Sequence, residues 1–187
     1  MAKKIYRIIS WGLLILTLVS IVLALRKPTV SPVESSPQAA RSFDQKLNQL
    51  EAAHRHGAPQ EVRITESELN SKLQESLQTP PAGAGGPASL KAATLHLQGD
   101  ELIGIFTVNM SGKDLYLTLG GKLSANNGVL QFTSTEVKMG SLPLPASAVD
   151  STLRSKLNSP EMRDHMALPG SIRDVRIEGG ELVLESK

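Results

Sequence analysis

A chain of 187 residues, 40% apolar and 20% charged, has room for one ordinary domain and an appendage but not comfortably for two cores. Its formal charge of +2 is small, and five of its twenty Lys and Arg residues (Lys3, Lys4, Arg7, Arg26, Lys27) flank one apolar stretch, which argues against a basic stripe for nucleic acid. With no cysteine there are no disulfides, thiolate zinc sites or cysteine nucleophiles, and with 3% aromatic residues the core must be aliphatic and a base-stacking surface has little to be built from.

The first element is an apolar run of 18 uncharged residues, Ile8 to Leu25. At about 1.5 Å per residue such a helix nearly matches a hydrocarbon core of roughly 30 Å. Tyr6 and Trp11 sit near its N-terminal end, where amphipathic rings favour the interface, and Lys3, Lys4 and Arg7 hold a very short tail inside. The expectation is an uncleaved signal anchor over residues 1–27, single-pass in the inner (cytoplasmic) membrane, with the following domain outside the cytoplasm. Val22-Leu23-Ala24 offers a possible cleavage site, so a cleaved signal peptide is the alternative, although the run exceeds a usual h-region of about 7 to 15 residues.

Pro28 to Ala40, with Pro32 and Pro37 among Ser, Thr and Ala, has the makeup of an extended, poorly packed linker that sets distance from the bilayer. The folded domain is expected over residues 41–187. Phe43, Leu47 and Leu50 recur at helical spacing until Gly57 and Pro59, and Glu61 to Ile64 reads as a short strand. Thr65-Glu66-Ser67-Glu68 is a capping box, in which Thr65 is expected to contribute more than Glu68. The helix it opens carries Leu69, Leu73 and Leu77 as one apolar stripe. Thr79 to Ser89, rich in proline and glycine, reads as a mobile loop.

From Leu90 to Met139 the period becomes two. Leu102, Gly104, Phe106, Val108 and Met110 share one face, as do Leu115, Leu117, Leu119 and Leu123, with turns at Gly99-Asp100, Gly112-Lys113-Asp114 and Asn126-Asn127-Gly128. The apolar parity changes between Phe132 and Val137, which places a bulge near Thr133 to Glu136. Glycines 104, 120 and 121 inside strands point to bending or close approach. Gly140 to Pro145 cannot be a central strand, because its prolines lack the ladder donor; a helix with Val149, Leu153 and Leu157 follows. Val175, Ile177, Gly179-Gly180, Leu182 and Leu184 close the chain with a hairpin that resembles the one around Gly99. The fold class predicted is α+β: a curved antiparallel meander packed on two or three amphipathic helices.

Catalytic chemistry is not in view. His54 and His56 fall on different helix faces, while His96 and His165 read as solvated surface residues. There is no serine elbow, phosphate-binding glycine loop or His-Glu-x-x-His run, and acidic residues such as Asp100, Glu101, Glu178 and Glu181 flank turns. No enzyme activity, cofactor or metal site is expected.

The order of elements, with Glu68-Leu69-Asn70 opening a helix, the Gly140 to Pro145 step and the closing Val-x-Ile-x-Gly-Gly-x-Leu hairpin, resembles the YpmS-like family of membrane-anchored bacterial envelope proteins and, more distantly, the LmeA-like proteins. These look like small relatives of the tubular lipid-binding (TULIP) superfamily. The resemblance runs from about Ile64 to Leu184, and it implies a TULIP-like sheet around a helix with lipid in an apolar groove. On that reading the groove residues are Leu69, Leu73, Leu77, Phe106, Val108, Leu117, Leu119, Val149 and Leu153, and the partners are the membrane and a lipid or acyl chain. The other reading is a non-enzymatic structural or interaction protein of the envelope, with a closed core and a protein partner.

Overall fold

The computed structural model describes residues 15–28, 31–78, 88–145, 155 and 166–187. Three helices are described: α1 (15–25), α2 (Pro37–Arg55) and α3 (Glu66–Gln78). The strands are β1 (Glu61–Ile64), β2 (Ala88–Gln98), β3 (Glu101–Met110), β4 (Lys113–Asn126), β5 (Val129–Met139), β6 (Leu142–Pro143), β7 (Ile172–Glu178) and β8 (Glu181–Ser186). The fold is α+β. Strands β2 to β6 form a five-stranded antiparallel meander in chain order, as the period-two pattern predicts.

The terminal hairpin does not extend that meander. It makes a separate three-stranded sheet in the order β1-β8-β7, because β8 pairs with β1 along its free edge, Ile64 opposite Leu182 and Val62 opposite Leu184. A single sheet was expected; the pairing across more than a hundred residues leaves no mark in local periodicity. The two similar hairpins meet at their turns instead, Gly180 N–H donating to Gly99 O at 3.3 Å.

Turn chemistry explains the register. Ser111-Gly112, Asn127-Gly128 and Gly179-Gly180 hold positive φ at both central residues, the geometry that matches strand twist in two-residue hairpins. In β5, Gly120 faces Glu136 while Gly121 faces Ser134, so Thr135 is the extra residue of a bulge at the predicted place. The bulge lets Phe132 and Val137 point to the same face despite their odd spacing. Lys91 is a second extra residue, in β2. The Gly140 to Pro145 step contributes β6 at the sheet edge, where a proline is tolerated.

Within the stretch 28–40, the described residues from Glu34 onward are held by the folded domain. The last four residues of the stretch belong to α2, which starts at Pro37 with Ser36 as N-cap, the Ser36 hydroxyl accepting from Ala39 N–H at 3.1 Å. The residues before it are fastened to α3: Ser36 N–H donates to Ser71 Oγ at 2.9 Å and Ser67 Oγ donates to Glu34 O at 2.7 Å. Backbone and hydroxyl groups that composition marks as solvated are satisfied by another element.

Among the described residues no helix is long and apolar enough to cross a membrane. The expected span from Ile8 is described only from residue 15, and Tyr6, Trp11 and the basic tail lie outside the described residues, as do residues 79–87 of the predicted loop, His165, and the helix expected around Val149, Leu153 and Leu157 apart from residue 155. What is described of α1 is helical, and Ile15, Leu16, Leu18, Val19, Ile21, Val22 and Leu25 are all exposed along it. Its end is docked on the sheet: Ser141 N–H donates to Leu23 O at 2.8 Å. Gly140, at φ +59, permits this approach, since a Cβ there would collide with the carbonyl oxygens of Leu23 and Ala24.

The closed core lies where the three-stranded sheet meets one end of the meander. Leu50 from α2, Val62 and Ile64 from β1, Leu97 from β2 and Ile172, Val175, Ile177, Leu182 and Leu184 from the terminal hairpin are buried together. The other face of the small sheet is closed by charge. Val183, fully buried, is flanked by its cross-strand partners Arg63 and Arg176, which are bound to Glu61, Asp174, Glu178, Glu181 and Glu185. The arginine stems cover the valine while their heads stay wet.

Candidate functional site

Strand register assembles the predicted leucine face. Gly104 pairs with Leu119, Phe106 with Leu117 and Val108 with Leu115, while Leu119 and Leu117 pair in turn with Val137 and Met139. Phe106, Val108, Leu117 and Leu119 therefore stand on one side of the meander, as the alternation requires. Leu95 and Leu97 of β2 and Leu123, Leu130 and Phe132 farther along belong to the same side.

Burial divides this face in two. At the end toward the terminal hairpin, Leu97 is buried and Leu102, Leu123, Ala125 and Leu130 pack on the core cluster. At the other end Phe106, Val108, Leu115, Leu117 and Met139 are only partly buried, and Leu90 and Met110 are each 48% exposed. Two glycines shape the passage between the halves. The ring of Phe106 would lie 2.7 Å from a Cβ at Gly104, and that of Phe132 2.6 Å from one at Gly121. Each ring thus occupies the space that a side chain on the neighbouring glycine would need.

Helix α3 forms the wall beside β2. The capping box is present, with Glu68 N–H donating to Thr65 Oγ1 at 3.3 Å and Thr65 N–H to Glu68 Oε2 at 2.8 Å. One turn apart, Glu66, Asn70 and Gln74 bind the open edge of β2. Leu97 N–H donates to Glu66 Oε2 at 2.8 Å, Leu95 N–H to Asn70 Oδ1 at 2.8 Å, Asn70 Nδ2 to Leu95 O at 2.6 Å and Gln74 Nε2 to Ala93 O at 3.1 Å. Three polar side chains thus stand in for a missing strand and cover an edge that would otherwise be free to pair. They also set the leucine stripe. Leu69 packs on the core cluster, and Leu73 and Leu77 follow it, partly buried, toward the open end.

Of the nine predicted groove residues, Val149 and Leu153 lie outside the described residues. Leu69 belongs to the closed core. Phe106, Val108 and Leu117 share the partly buried end of the strand face, Leu119, opposite buried Val137, stands at the boundary, and Leu73 and Leu77 are partly buried on α3. The sequence pattern puts Met110 and Leu115 on the same strand faces without counting them among the groove residues, and it does not place Leu90 or Met139 there. It also missed the polar row Glu66, Asn70, Gln74, whose four-residue repeat was legible beside the leucine one.

Two polar expectations are corrected. His96 is not a solvated surface residue: it is 8% exposed, with Nδ1 3.1 Å from Glu66 Oε1, because α3 closes over the β2 edge. Glu68 is not the lesser member of the capping box. Burial opposes its ionisation, yet Lys46 Nζ at 2.7 Å, Ser42 Oγ at 2.5 Å and Thr65 N–H together hold its carboxyl below the ordinary value. It ties α2, β1 and α3 together, since Lys46 also donates to Arg63 O at 2.6 Å.

His54 and His56 are exposed near the end of α2, and among the described residues no group of three metal-ligating side chains occurs. Among the described residues no nucleophile is paired with a base near the leucine face. What these residues offer is apolar contact, left partly exposed at one end.

Compared with protein-family models, with curated proteins and with solved structures, the chain matches none.

Proposed function

We propose that this protein is a single-pass, membrane-anchored envelope protein that takes an acyl chain of a lipid on the open half of its leucine face and performs no covalent chemistry. The YpmS-like and TULIP-like resemblance supplies the same reading. The observation that carries it is the partly exposed apolar patch of Leu90, Phe106, Val108, Met110 and Leu117 on one side of the meander. Leu23 O accepts from Ser141 N–H at 2.8 Å, and Met139, two residues before Ser141, pairs with Leu117 on the open half. The end of α1 is thus fastened to the meander at the turn after β5. If residues 8–25 cross the cytoplasmic membrane, that docking holds the meander near the bilayer surface, within reach of an acyl chain. Each aliphatic side chain fully covered by the chain would contribute about 1.5 to 3 kcal/mol.

The test uses the full chain in nanodiscs of phosphatidylcholine doped with a benzophenone-bearing fatty acid. After illumination, crosslinks on Leu90, Phe106, Met110 or Met139 are expected, and none on Val175 or Leu184. Crosslinks confined to α1, or a soluble form of the protein starting near residue 25, would remove the reading.

A further inference from the structure

The partly exposed end of the leucine face carries a charge. Met110 and Lys113 flank the Ser111-Gly112 turn and pair across it, so the two side chains stand on the same side of the meander. Val108 and Phe106 occupy the next alternate positions of β3, and Leu115 and Leu117 those of β4, which puts all of them on that side too. Lys113 therefore belongs to the outermost row of the apolar patch, beside Met110, which is 48% exposed.

Lys113 is itself exposed, and among the described residues no carboxylate pairs with it. The acid next to it in sequence, Asp114, is committed elsewhere. Alternation turns Asp114 to the other side of the strand, and its Oδ1 accepts from Lys91 Nζ at 2.8 Å and from Asn109 Nδ2 at 2.6 Å. Those two bonds hold its carboxyl below the ordinary value, so the charge of Asp114 is spent on Lys91. The turn keeps one uncompensated positive charge, and that charge sits at the end of the aliphatic strip.

A cation in that place discriminates among acyl lipids by their heads. An anionic head gains an ion pair, a neutral head gains nothing and a cationic head is repelled. Length points to one chain laid along the strands. From Lys113 to Leu119 a strand advances roughly 20 Å, close to the roughly 15 Å that half of a bilayer core gives an acyl chain. We infer that this face takes a free fatty acid, with the carboxylate against Lys113 and the chain running along β3 and β4 toward Leu119. The inference rests on the acyl-chain reading of the same face and adds to it the charge and the direction of the ligand.

The test uses three benzophenone-bearing lipids that differ only in the head: a fatty acid, its methyl ester and the corresponding trimethylammonium lipid. Each is crosslinked to the full chain in phosphatidylcholine nanodiscs, at low salt and at a pH that keeps the fatty acid ionised. Yields at Phe106 and Met110 are read as the ratio of variant to wild type for the same lipid, so that partitioning into the disc cancels. Lys113→Gln should lower the fatty-acid yield about two- to fivefold, the range of an exposed ion pair, and leave the ester yield unchanged. Lys113→Arg should keep the fatty-acid yield, and Lys113→Glu should reverse the preference in favour of the trimethylammonium lipid. Lys122→Gln, at an exposed lysine paired with Asp100, should change none of the three. Fatty-acid and ester yields that respond alike to Lys113→Gln, or an equal fatty-acid loss in Lys122→Gln, overturn the inference and leave acyl binding in place. Labelling by none of the three lipids removes both.

Discussion

The two ends of the leucine face are built from the same residue types and are treated differently by the fold. At one end Leu97 and Leu102 meet the three-stranded sheet and Leu50 of α2, and the aliphatic layer is filled. At the other end Leu90, Val108, Met110 and Leu117 have the same strand alternation but stay partly exposed. Alternation therefore specifies which side of a sheet is apolar; what covers that side is decided by elements far away in sequence.

The largest effect is expected at the closed end. Ile64 is fully buried between β8 and α2, so Ile64→Ala should lower stability by about 2 to 5 kcal/mol in urea unfolding of the full chain. A loss no greater than that of an open-end truncation would erase the distinction between the halves.

The seam between the halves comes next. Glu68→Ala removes the partner of Lys46, Ser42 and Thr65 N–H at once and should cost about 1.5 to 3 kcal/mol, more than Thr65→Ala at about 0.5 to 2. Because the Glu68 carboxyl is held below its ordinary value of 4.5, its contribution is complete above that pH and is lost as the pH falls through the lower folded value. Glu68→Gln should therefore flatten the acid limb of the stability curve, and an unchanged limb would show that the carboxylate has no such role.

Asn70→Ala leaves the N–H and C=O of Leu95 without their side-chain partners, which should cost about 1 to 3 kcal/mol and expose the β2 edge. Light scattering on unfolding and refolding would register the exposed edge as self-association. A monodisperse, equally stable variant would mean that the edge needs no cover.

The smallest stability effect belongs to the open end. Leu117→Ala should cost only about 1 kcal/mol, since the side chain is partly exposed to begin with, yet it should weaken binding of a fluorescent fatty acid. If Leu117→Ala is as destabilising as Ile64→Ala, the open half is a core after all and the acyl-chain proposal fails with it.

Much of the meander was legible in the residues alone. Two-residue turns such as Asn127-Gly128 demand positive φ, side chains on a strand must alternate, and a parity change between Phe132 and Val137 requires an extra residue; each follows from bonds and sterics within a few residues of chain. The capping box at Thr65 and Glu68 is local in the same sense. The partition of the leucines was not legible. Whether Leu97 or Leu117 is covered depends on the pairing of β1 with β8 and on α3 lying along the β2 edge, contacts between residues far apart in the chain. His96 shows the same limit at a single side chain. Its alternation placed it opposite the leucines, as it is, but tertiary packing set Glu66 of α3 against its ring and turned a surface position into a buried one, because burial is a property of neighbours and not of the residue that acquires them.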